Sequence, residues 1–202
     1  MRAVIFDMGG VLVDLDMESC KNAFREELGF AEIDKILDPC HQKGIIGDME
    51  AGKIEADVFR NYVVERSNEG VTPDDVDRAF CKILRSIEPY KVEMLHELAA
   101  KYDIYMLSNN NPIATKRAME MFEEAGFSMN DDFKKCYISY QMKLLKPSEE
   151  FYKAVMEDIG LPADQMLFID DSKANVDAAV AAGLPAVWYE PGSDLRLLLA
   201  HL

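Results

Sequence analysis

Ala3-Val4-Ile5-Phe6-Asp7-Met8-Gly9-Gly10 opens with four uninterrupted apolar residues that run straight into a carboxylate and two glycines. A short run that is apolar at every position, not at alternate ones, reads as a strand buried on both faces, as in a parallel sheet. Three later stretches share the pattern: Ile104-Tyr105-Met106-Leu107, Met166-Leu167-Phe168-Ile169 and Ala186-Val187-Trp188-Tyr189. Between the later ones lie helical patterns over about 90–101, 113–125, 148–159 and 173–182, closed by turn signals such as Gly126, Gly160 and Gly183. This alternation predicts an α/β fold, a doubly wound parallel sheet with helices on both faces.

Residues 15–88 break that rhythm. Apolar residues recur there at helical spacing: Phe24 and Leu28; Ile33, Ile36 and Leu37; Val58, Phe59, Tyr62 and Val63; Val76, Phe80, Ile83 and Leu84. No buried strand is expected among them, so the block reads as an all-helical cap inserted after the first strand. The predicted division is a core of residues 1–14 plus 89–202 and a cap of residues 15–88. That suits 202 residues, about one domain with an insertion or two small ones. Asp16 is expected as a helix N-cap at the exit into the cap, and Asp14 marks the same exit. Asp74, Asp75 and Asp77 fit a solvated first turn after Pro73.

With 22 Lys and Arg against 37 Asp and Glu, the formal charge is −15. Such a chain repels a phosphate backbone or an anionic membrane surface, so neither nucleic acid nor membrane is an expected partner. A small phosphorylated metabolite needs only a local cation and stays admissible. No apolar run approaches the roughly 18 residues of a membrane helix, and Asp7 and Asp14 interrupt the N-terminus too early for a signal peptide. Cys20, Cys40, Cys81 and Cys136 form no CxxC pair and read as free thiols in a reducing cytoplasm. His41, His96 and His201 are too dispersed for a histidine metal site.

Three of the four strands deliver polar residues at their C-terminal ends: Asp7, then Ser108-Asn109, then Asp170-Asp171-Ser172. In an open parallel sheet those ends border the ligand crevice. Lys146-Pro147 precedes a helix start. Any one of these reads equally well as a loop residue or helix cap, Ser108 especially. All four in order point to one site.

The segments FDMGGVLVD, MLSNN, LKPSEEFY and FIDDSKAN resemble, in order and spacing, the four motifs of the haloacid dehalogenase-type hydrolase superfamily. The helical block falls where that superfamily carries its first-position cap. Within it, the chain is most similar to bacterial sugar-phosphate phosphatases such as the α-glucose-1-phosphatase type. The resemblance implies an Mg²⁺-dependent phosphatase with Asp7 as nucleophile, passing through an aspartyl phosphate. Ser108 and Asn109 would hold the phosphoryl oxygens, and Lys146 would neutralise charge on nucleophile and phosphate. Metal ligands would be Asp7, the Gly9 backbone carbonyl, Asp171 and its neighbour Asp170; Asn175 reads equally as orienting a metal-bound water or as a helix residue pointing at solvent. The acidic pair also separates the chain from metal-independent dehalogenases.

One position departs from the pattern. Gly9 stands where most phosphatases of the superfamily carry a second Asp that acts as general acid/base. Losing such a group costs roughly 10²–10⁴ in rate, most for poor leaving groups. Alternatives are a catalytically impaired phosphate- or metabolite-binding protein and a phosphomutase, the latter leaning on the missing acid. Substrate choice is expected to lie in the cap, where His41, Lys43 and Glu50 are candidates for sugar hydroxyls. Oligomeric state is not legible.

Overall fold

β1 (Ala3–Phe6) lies at the centre of a five-stranded parallel sheet in a computed structural model that describes residues 1–37 and 44–199. In chain order follow β2 (Asp14–Leu15), β3 (Leu84–Ser86), β4 (Asp103–Ser108), β5 (Lys135–Ile138), β6 (Met166–Asp170) and β7 (Ala186–Trp188). The sheet order is β5-β4-β1-β6-β7, so the chain winds outward from β1 first to one side and then to the other. The expected doubly wound sheet is present.

Alternate residues of β1 show why its run is apolar throughout. Val4 and Phe6 enter one core with Leu95 of α6 (Pro89–Ala99) and Phe122 of α7 (Pro112–Glu124). Ala3 and Ile5 face the other way, onto Phe151 and Tyr152 of a later helix, Glu149–Ile159, and Ala179 of another, Lys173–Ala181. Each face thus buries its own apolar set, the main favourable term in folding. Pro112 sits at the first turn of α7, and its N-cap is Asn111, whose Oδ1 accepts from Ile113 and Ala114 N–H. Ser108, the candidate cap in sequence, is therefore left to the strand end.

The block between β1 and α6 is built from α1 (Met17–Asn22), a π-helical turn over Ala23–Glu27, α2 (Ile33–Ile36), α3 (Gly44–Glu50), α4 (Ala56–Val64) and α5 (Pro73–Cys81). Phe24 and Phe59 each pack edge-on against Phe80 at its centre, with Phe59 and Phe80 centroids 5.5 Å apart. α5 starts with Pro73 behind a Thr72–Asp75 capping box, and Asp16 caps α1 by accepting from Ser19 N–H at 2.9 Å. The Asp16 cap and the helix start at Pro73 match expectation, while the capping box through Thr72 is an addition.

Several expectations need correction. The block is not purely helical: β2 and β3 pair antiparallel into a two-stranded ribbon where the chain leaves and re-enters, so Leu84 is a strand residue. Val58 is half exposed. β5 was not expected, because an edge strand reading Lys-Cys-Tyr-Ile mixes an exposed cation with a buried end. β7 is also an edge and leaves Trp188 partly exposed, so it is not buried on both faces. Cys20 is buried and Cys81 and Cys136 half-buried, all free. His41, Lys43, Cys40 and His201 lie outside the described residues. Among the described residues no helix is long and apolar enough to cross a membrane.

Candidate active site

β4 and β6 flank β1 in matching register, with Phe6 opposite Met106 on one side and Ile169 on the other. Their C-terminal ends therefore present Asp7, Ser108 and Asp170-Asp171 side by side. Lys146 enters from the connection after α8 (Ser139–Met142), ahead of α9 (Glu149–Ile159). Its ammonium, fully buried, lies 3.0 Å from Asp7 Oδ1 and 2.6 Å from Asp170 Oδ2, and donates to the Leu107 carbonyl at 3.0 Å. The backbone there is clamped by Asn109, whose Oδ1 accepts from Lys146 N–H and whose Nδ2 donates to Lys146 O, each at 2.8 Å. Asn109 thus fixes the lysine.

Asp170 is completely buried and saturated. It accepts from Lys146 Nζ, from Ser172 N–H at 2.8 Å and from Asn175 Nδ2 at 3.0 and 3.1 Å. Asn175 of α10 (Lys173–Ala181) therefore fixes Asp170, and in this structure its amide neither points to solvent nor stands apart from the carboxylates. Asp171, more open, lines the crevice, and its main chain accepts from Trp188 Nε1 at 2.8 Å.

Carboxylate oxygens of Asp7, Asp170 and Asp171 all fall within 4.8 Å of one another. Burial pushes the Asp7 carboxyl up to about 7; the Lys146 charge opposes that, and the nearby Asp170 and Asp171 charges add to it. Asp171 is pushed up to about 6, again by burial first and then by Asp170. For Lys146, burial favours the neutral amine, but the Asp7 and Asp170 charges outweigh it and hold the amine firmly protonated. Three carboxylates facing one ammonium leave a surplus of negative charge. Clustered oxygen donors with such a surplus fit a hard divalent cation.

Gly10 has φ of +77°, and a Cβ there would collide with the Asp171 carboxylate. Gly9 has no such constraint; its Cβ would meet only the tip of Leu15, at 3.1 Å. The two neighbours thus differ: the turn and the close approach need Gly10, while Gly9 is free to carry a side chain.

Residues 1–183 match the haloacid dehalogenase-like hydrolases. The chain belongs to that family. D-ribitol-5-phosphate phosphatase of Bacteroides thetaiotaomicron is 32% identical over 197 residues, 97% of this chain and 95% of that one. A phosphorylated carbohydrates phosphatase of Thermotoga maritima is 27% identical over 198 residues, 93% and 84% of the two chains. Among solved structures, a HAD family enzyme of Bacteroides thetaiotaomicron in complex with magnesium and inorganic phosphate superposes with a TM-score of 0.90. That enzyme is 35% identical, and the match covers 98% of each chain. A dehalogenase at 18% identity and TM-score 0.65 shares the fold alone. The resemblance read from the four motifs is borne out: this is an enzyme, a hydrolase of the phosphatase kind.

In this hydrolase the strand ends open into a cavity of about 770 Å³. Asp7, Gly9, Ser108, Asn109, Lys146 and Asp171 reach it from the sheet side. Glu50, at the end of α3, reaches it from the helical block. Two supports had no role in the sequence reading, Ser139 and the second asparagine of MLSNN, Asn110. Ser139 is fully buried; its Oγ accepts from Asn110 N–H at 2.9 Å and lies 2.7 Å from the Glu50 carbonyl and 3.0 Å from the Asn110 carbonyl. Asn110 Oδ1 accepts from Asn111 N–H at 2.8 Å, fixing the turn after Ser108. Ser139 starts a four-residue helix after an edge strand, a place with no local pattern to mark it.

Proposed function

We propose that this hydrolase removes phosphate from a small phosphorylated metabolite of the carbohydrate or polyol type, with Asp7 as nucleophile and Mg²⁺ as cofactor. The observation that carries the reading is the buried Lys146 ammonium bridging Asp7 and Asp170 beside the open Asp171. Asp7 Oδ attacks phosphorus, the ester oxygen departs, and water then cleaves the aspartyl phosphate. Met8 N–H donates to Asp7 Oδ1 at 2.7 Å, and Lys146 holds that same oxygen, so Oδ2 is the attacking atom. Ser108 and Asn109 bind the phosphoryl oxygens. Asp7, the Gly9 carbonyl and Asp171 hold the metal, with Asp170 behind them bound to Lys146 and Asn175. Bound Mg²⁺ supplies charge neutralisation to the carboxylates and the transferring group.

Residues 15–88 act as a cap over a core of 1–14 plus 89–202, in which closure excludes water. Kinship with enzymes named for D-ribitol 5-phosphate and for phosphorylated carbohydrates supports a polyol or sugar substrate. Free thiols and an acidic surface fit the cytoplasm.

A second reading has its own observation. Among the described residues, the walls contributed by the helical block are mostly apolar, with Ile36, Leu37, Ile46 and Phe80 among them. That lining favours a phosphate ester of an apolar alcohol. A panel of sugar, polyol and terpenoid phosphates distinguishes the two by kcat/KM.

The mechanism is tested with an activated aryl phosphate. Turnover should need Mg²⁺, vanish with EDTA and fall at least about 10³-fold in Asp7→Asn. Activity surviving both treatments refutes it. Binding without turnover across the whole panel would favour a non-catalytic binder.

A further inference from the structure

Glu50 is the last residue of α3 and one of four titratable side chains on the cavity among the described residues. Of the other three, Asp7 and Lys146 are ion-paired, and Asp171 lies beside them in the carboxylate cluster at the sheet end. Glu50 has no hydrogen-bond or ion-pair partner for its carboxyl among the described residues, although it is partly buried. Open to the cavity and bound to no neighbour, the carboxyl is available to a substrate there. Its backbone is held in place. The Ser139 hydroxyl lies 2.7 Å from the Glu50 carbonyl, and Gly52, at φ of +63°, passes so close to the Tyr140 carbonyl that a Cβ would collide with it. Ser139 in turn holds Asn110, two residues beyond Ser108. One buried hydroxyl thus fixes the Glu50 main chain relative to the phosphate end of the crevice.

The sheet side lacks an acid. Gly9 offers no proton, and Asp7, Asp170 and Asp171 are bound to Lys146 or turned to the metal position. We propose that Glu50 is the proton donor to the leaving oxygen, reaching it from the helical block. This rests on the phosphatase reading. As Asp7 Oδ2 bonds to phosphorus and the P–O ester bond breaks, the departing oxygen takes the Glu50 carboxyl proton and leaves as an alcohol. The resulting Glu50 carboxylate then takes a proton from water. The water oxygen bonds to phosphorus, the P–O bond to Asp7 breaks, and phosphate leaves with both carboxyls restored. Burial raises Glu50 to about 7, so the carboxyl is substantially protonated near neutrality, as a donor needs.

The test compares ethyl phosphate, a poor leaving group without hydroxyls, with para-nitrophenyl phosphate, whose leaving oxygen needs no proton. In the Mg²⁺-loaded enzyme, Glu50→Gln should lower kcat/KM for ethyl phosphate by about 10²–10⁴. For the aryl ester kcat/KM should fall less than about tenfold, because that ratio reports only steps through departure of the leaving group. Its kcat should drop with a burst of one nitrophenol per enzyme, since the second step has lost its base. Glu50→Asp, which keeps a carboxyl, should recover part of the ethyl phosphate activity. Equal loss of kcat/KM for both esters, as from a structural defect, overturns the proposal. So does unchanged ethyl phosphate turnover, or a rise in KM alone. A wild-type enzyme inert to both esters overturns the phosphatase reading itself.

Discussion

A single Cβ at position 10 would have to occupy the space of the Asp171 carboxylate, on a backbone that L side chains rarely adopt. Left-handed strain costs an ordinary residue roughly 1–2 kcal/mol before the collision is added. Gly10→Ala should therefore lower Tm and displace Asp171, weakening Mg²⁺ binding in calorimetric titration. Gly9→Ala, meeting only a flexible leucine tip, should do neither. The carboxylates themselves give a second prediction. Asp7 and Asp171 ionise near 7 and 6 when folded, against 3.8 as the ordinary value. From about pH 4 to 7 the folded, metal-free protein holds protons that the unfolded chain has released. These groups therefore favour folding at low pH and withdraw that support as pH rises through 7. Magnesium favours the ionised forms, so it should raise Tm more at pH 8 than at pH 5, by thermal melts with Mg²⁺ against EDTA. Equal shifts at the two pH values would count against this cluster as the metal site. At this scale the sequence motifs identified the acids and the lysine. They did not separate Gly10 from Gly9, because φ and the approach of a side chain 161 positions away are tertiary facts.

The β2–β3 ribbon is secured by one side chain. Lys91 of α6 is fully buried, with its ammonium 2.9 Å from Asp14 and 3.2 Å from Glu88, while Ser86 Oγ donates to Asp14 at 3.0 Å. Both chain crossings, out at Asp14 and back at Ser86, are thus tied to the core helix that follows. Lys91→Met keeps most of the volume but leaves Asp14 with the serine and solvent. Because the acids are only partly buried, the cost should be about 1–3 kcal/mol, read as a lower urea midpoint. An unchanged midpoint would show that the ribbon stands on its apolar contacts. Elements buried on both faces were legible from local pattern, and the starts of α1 and α5 from Asp16 and Pro73, whereas the Asn111 cap of α7 was not foreseen. β5 was not: only its far end, Tyr137 and Ile138, is buried, while Lys135 is exposed. Strands of two and three residues are too short to express any period.

Across the whole molecule, the apolar core runs without a break from the sheet face under α6 and α7 into the phenylalanine cluster of the helical block. Strand order could not be read from the sequence, since pairing partners of β1 lie about 100 and 163 residues away. What could be read was the consequence: acids, hydroxyl and lysine meeting at one edge. Gly52 is where the block rests on the corner between β5 and α8. Gly52→Ala should push the two apart, lowering Tm and raising KM for the preferred phosphate, in steady-state kinetics alongside thermal melts. A KM equal to wild type would mean that this contact does not set the cavity. Ser139 lies at the same corner, and its hydroxyl has one proton for two carbonyls, Glu50 at 2.7 Å and Asn110 at 3.0 Å. If the block lifts, that proton can swing to Asn110 instead of being stranded. Parting at this corner would then leave the serine still donating, so its hydroxyl adds little resistance to that movement.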